Sequence, residues 1–147
     1  MTPAEVADLM RRNGYPVEMK RGANDRAYIA SEKGGTRFAV VFRDFPPREP
    51  TETEFKFLVF YNEYEAPPQW DLTHVNALNE RAFFVQVTLH DRRVRVKYDV
   101  LLGSDVLDET LFMRSLDIWT KAMASIGGLI REDLEAPAGA PAYSRIV

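Results

Sequence analysis

The sequence contains no cysteine, which excludes disulfides, a thiol nucleophile and thiolate metal sites, and suits a reducing compartment. Histidine is almost as scarce. Only His74 and His90 occur, and their separation makes no local pair of metal ligands. An excess of positive charge is also missing: 19 basic against 22 acidic residues give a net charge of −3. That balance supplies no field to hold a polyanion, so nucleic acid is not expected as a partner. No apolar run approaches the roughly 20 residues needed to cross a bilayer. The opening Met1-Thr2-Pro3-Ala4-Glu5 lacks the basic and apolar regions of a signal peptide. A cytoplasmic protein with no membrane segment is therefore expected.

What is present suits a single folded domain. A chain of 147 residues, 46% hydrophobic and 12% aromatic, can bury a sizeable core, and no linker divides it. From Ala136 onward, Pro137, Gly139, Pro141 and four alanines dilute the apolar pattern. The expected division is a domain over 1–130 and a mobile tail over 131–147.

Thr2, Pro3 and Glu5 have the spacing of a capping box with proline in the first turn, which predicts a helix over about 3–12. Period-two alternation from Tyr15 to Phe42, broken by turns at Gly22-Ala23-Asn24-Asp25 and Lys33-Gly34-Gly35-Thr36, predicts a three-stranded meander. Pro46, Pro47 and Pro50 mark a loop over 44–53. Phe55, Phe57, Val59 and Tyr61 then alternate against Glu54, Lys56, Leu58 and Phe60, so the first set is read as the core face and the second as a mixed outer face. Asp71 or Thr73 can cap a short helix ending near Arg81, with Leu72, Val75 and Leu78 on one side. A hairpin follows, turning at His90-Asp91-Arg92. Phe112, Leu116, Trp119, Met123 and Ile126 then stripe a long helix expected to end at Gly127-Gly128. The fold class is α+β: an antiparallel sheet with an N-terminal helix, a short middle helix and a long C-terminal helix.

Catalytic groups are few. His74 reads as a surface helix residue and His90 as a turn residue, while Glu63, Glu65 and Asp71 flank a proline-rich loop where carboxylates are normally solvated. Gly34-Gly35-Thr36 lacks the lysine and following helix of a phosphate loop. No enzyme activity, cofactor or metal is expected. Binding surface is the better prospect. Alternation places Arg93, Arg95 and Lys97 on the face opposite Val94, Val96 and Tyr98, either as a solvated face with acidic cross-strand partners or as a docking strip. Leu58, Phe60 and Phe84 fall in the same outer class, where the middle helix or a protein partner would have to cover them. A small-molecule pocket lined by Trp70, Tyr98 and Trp119 is the alternative.

The segment Leu72-Thr73-His74-Val75-Asn76-Ala77-Leu78-Asn79-Glu80-Arg81, with Phe83 and Phe84, the hairpin from Val94 to Leu102 and the long last helix, resembles the YbjN family of bacterial proteins. Helix 1 with Gly14-Tyr15-Pro16-Val17 fits the same pattern. That family is described as sensory transduction regulators and is similar in fold to type III secretion chaperones, which dimerise and hold segments of partner proteins. The resemblance implies protein binding, a homodimer and no known chemistry. The proline loop over 44–53 and the sequence after Ala136 depart from it.

Overall fold

The computed structural model describes residues 2–46, 48, 50–51, 55–82, 84–102 and 106–136. Helix α1 (Pro3–Arg12) begins at the expected capping box, with Thr2 and Glu5 each accepting from the other's backbone N–H. Strands β1 (Glu18–Arg21), β2 (Ala27–Lys33) and β3 (Thr36–Arg43) form the meander. Gly34 and Gly35 turn β2 into β3 with φ of +57° and +79°, a backbone open to glycine at no steric cost. Strand β4 (Phe57–Glu65) follows the proline loop, whose residues 47, 49 and 52–54 lie outside the described residues.

Helix α2 (Leu72–Arg81) is capped by Asp71, as expected. The hairpin of β5 (Gln86–His90) and β6 (Arg93–Leu101) turns through Asp91 and Arg92, both at positive φ. A left-handed arginine is costly, and the rest of Arg92 offsets it. Its guanidinium donates to the Trp70 and Pro67 carbonyls at 2.9 and 2.6 Å, and its own carbonyl accepts from the Ala66 N–H.

Among the described residues the strands make one antiparallel sheet, ordered β1-β2-β3-β4-β6-β5. Helix α3 (Glu109–Glu135) crosses β4 and β6, α1 packs on β2 and α2 on β5. The α+β architecture is as expected, but α3 runs through Gly127-Gly128. Gly127 is buried beneath the Tyr64 ring, so its missing side chain serves a close approach within a continuing helix. Residues 131–135, expected in the tail, belong to α3. The tail beyond them, 137–147, lies outside the described residues. No described helix is long and apolar enough to cross a membrane.

The core lies between α3 and one face of the sheet. Trp119 stacks on Phe60 at 5.8 Å and meets Phe38 edge-on at 6.2 Å, and Phe112 packs against Phe60 at 6.0 Å. The buried stripe of α3 is the predicted one, extended by Ile130 and Asp133.

Candidate interaction surface

Cross-strand register assigns every strand residue to a face, because residues directly opposite share one. Phe42 pairs with Leu58 and Leu58 with Val100; Val40 pairs with Phe60 and Phe60 with Tyr98. This is the core face, so Leu58 and Phe60 are fully buried and form no surface. The expected faces of β4 are therefore exchanged. The residues that share the outer side with Arg95 and Lys97 are Phe57, Val59 and Tyr61. A signal in the sequence could have found this: continued to its end, the parity of Phe57, Val59 and Tyr61 runs on into Glu63 and Glu65, and two successive carboxylates mark the wet side.

Phe84 is 68% exposed, but it is not on the outer face. It precedes β5 with φ +71°, outside strand alternation, and its ring lies 6.1 Å from that of Tyr98 on the helix side. The three apolar residues expected to share one surface are thus two core residues and a separate exposed one.

The outer face is built in rows. One row runs Ala30, Ala39, Tyr61, Lys97; the next runs Tyr28, Val41, Val59, Asp99; Arg43, Phe57 and Leu101 close the end. Tyr28, Val41, Phe57, Val59 and Tyr61 are each partly exposed although they sit on the central strands or beside them. The helices contact the other side; on this face the ring of Phe45, from the proline loop, lies 5.2 Å from that of Phe57, and no described helix covers the rest.

Its charges compensate one another. Arg93 and Arg95 reach Glu63 Oε1 at 3.3 and 3.5 Å, Tyr61 donates to Glu63 Oε2 at 3.2 Å, and Lys97 lies 3.6 Å from Asp99. Burial pushes the Glu63 carboxyl up, but hydrogen bonds from Tyr61 and Arg93 and the two arginine charges outweigh it and hold the group low. Burial, followed by the neighbouring Glu63 charge, pushes the Tyr61 phenol up. The basic stripe is therefore paired, Arg93 and Arg95 across strands to Glu63 and Lys97 along β6 to Asp99, with an aromatic and aliphatic field beside it.

The histidines have local roles. His74 is buried, contrary to expectation: it stacks on Trp70, and its Nδ1 lies 2.7 Å from Asp71 Oδ1, within the helix cap. That hydrogen bond, with a second from the His74 backbone, keeps the Asp71 carboxyl below its ordinary range. His90 is exposed beside Asp91 at 3.0 Å. The described residues hold no cluster of three or more His, Asp or Glu that could bind a metal. Nor do Trp70, Tyr98 and Trp119 line one pocket. Trp70 donates to the buried Asp133 at 2.8 Å, Tyr98 sits between Phe60 and Phe84, and Trp119 is in the core.

Asn79, within the segment that carries the family resemblance, has a structural role. Its side chain donates to the Val87 carbonyl at 2.7 Å and accepts from the Val87 N–H at 2.8 Å, pairing the backbone of edge strand β5 as a neighbouring strand would.

A comparison with curated proteins finds no match. The sequence pattern of the YbjN family, described as "Putative bacterial sensory transduction regulator", matches residues 2–128, which takes in α1, the whole sheet and most of α3. The chain belongs to the YbjN family.

Proposed function

We propose that this chain is a non-catalytic regulatory domain of the cytoplasm that works by binding another protein on its uncovered sheet face. One observation carries the reading: Tyr28, Val41, Phe57, Val59 and Tyr61 form a continuous apolar and aromatic field on the side of the sheet that no described helix covers. A face of this kind, edged by paired charges, has the make-up of an interface core with a polar rim. Membership of a family of regulators agrees with it, and the lack of cysteine suits the cytoplasm. The homodimer that the resemblance implies would use the same face, since a two-fold contact would cover both copies at once.

Val59→Lys tests the reading, because Val59 sits mid-field and a lysine there faces Asp99 rather than the core. The parent should either double its sedimentation mass over micromolar concentrations or retain a specific protein from extracts of its source cells. The variant, folded by far-ultraviolet circular dichroism, should do neither. A monomeric parent whose captured proteins all remain with the variant would sink the proposal.

A further inference from the structure

A second surface lies on the helical layer, away from the sheet face. A groove of about 410 Å³ runs between α2 and α3. Leu78, Ala82 and Val85 form one wall, and Ile118, Ala122 and Leu129 the other. Phe84 stands at its lip, largely exposed, with a backbone φ of +71° that a bulky side chain rarely adopts. Strain of this kind persists only where the surroundings impose it, and here it holds an aromatic ring out over an apolar trough.

Charge narrows the choice of occupant. Arg81 on α2 and Lys121 on α3 line the same groove from opposite walls, in a chain whose net charge is −3. Arg81 has no ion pair among the described residues, and Lys121 holds only Asp117, one turn away, in an exposed and exchangeable pair at 2.8 Å. Lys121 stands one turn in from Ile118, on the wall opposite Arg81, and reaches back toward Asp117. Cations on both walls fit an occupant that is apolar along the middle and acidic along both flanks. The wall from Ile118 to Leu129 is about 16 Å long, three turns of helix.

We infer that the groove between α2 and α3 docks an acidic amphipathic helix of a partner protein, with Phe84 as the aromatic anchor and Arg81 and Lys121 as the flanking charges. Helix-in-groove recognition reads apolar side chains at i, i+3, i+4 and i+7, and a preformed aromatic at the rim is the residue type that dominates such contacts.

The test uses the full chain and three probes: a labelled synthetic helix with leucines at that spacing flanked by glutamates, its twin with lysines in place of the glutamates, and dodecanoate. The acidic helix should bind one to one, and binding should weaken with salt. Arg81→Glu and Phe84→Gly should each weaken it by about tenfold or more. Phe84→Gly should do so without lowering the melting temperature, because glycine relieves the positive φ. Val59→Lys should leave binding unchanged, so that failure of the sheet-face reading and failure of this one are seen separately. Equal binding of the lysine twin, indifference to both groove substitutions, or binding of dodecanoate alone would each overturn the inference. So would a marked fall in melting temperature for Phe84→Gly, which would make the ring a core residue.

Discussion

Gly127 and Gly128 stand side by side in α3, and their surroundings separate them. A β-carbon on Gly128 would meet nothing within 4 Å, whereas one on Gly127 would lie 3.0 Å from the Tyr64 hydroxyl oxygen. That hydroxyl is held by its hydrogen bond to the Met123 carbonyl. Alanine is favoured over glycine inside a helix by about 0.5–1 kcal/mol. Gly128→Ala should therefore raise stability by that amount in urea titration, and Gly127→Ala should fall below it by about 1 kcal/mol or more as the ring is displaced. In a Tyr64→Phe background the gap should narrow, since the nearest atom is gone. Equal effects of the two substitutions would show that the ring yields freely. Nothing in a single sequence distinguishes this pair from a helix terminator, because the residue that explains it is 63 positions away in β4. The burial of His74 was hidden in the same way, by Trp70 across the cap.

At the scale of elements, signals contained within one segment were legible. The capping box of α1, the Asp71 cap of α2, the turns at Gly34-Gly35 and Asp91-Arg92 and the apolar stripe of α3 each depend on residues within a few positions of one another. The faces of β4 were not, because period-two alternation leaves two solutions until something marks the wet side. Here a strand read only to Tyr61 took Glu54 and Lys56 as the markers, although neither belongs to β4, while Glu63 and Glu65 do. The clamp from Asn79 to Val87 is likewise a contact between elements. Val87 is buried, so Asn79→Ala would leave its N–H and carbonyl without partners at the sheet edge. The expected cost is about 1–3 kcal/mol, measured by chemical denaturation. The freed edge should also raise the tendency to associate at high concentration. A variant as stable as the parent would mean that water replaces the clamp.

For the whole molecule, the described helices all lie on one side of the sheet, and the packing of α3 on β4 is one of the contacts that hold the two layers together. Tyr64 sits on that contact, and burial pushes its phenol up to about 12. The sign of the consequence follows from linkage. The folded state holds the proton more tightly than the unfolded chain, whose tyrosine titrates near the ordinary value of 10. The stability this contributes is complete below about pH 10 and is lost as pH rises toward 12, where the ionised ring would have to leave the interface. Burial shifts the Tyr61 phenol in the same direction on the other face, so removing Tyr64 should abolish only part of the alkaline loss. The comparison to make is Tyr64→Phe against the parent, by urea titration at steps from pH 8 to 12. At pH 8 the variant should be slightly the weaker, lacking the hydrogen bond to Met123. As pH rises the parent should lose stability faster, and the difference should close and then reverse. A difference that stays constant across the series would mean that Tyr64 ionises in place, and that α3 and β4 separate more readily than their packing implies.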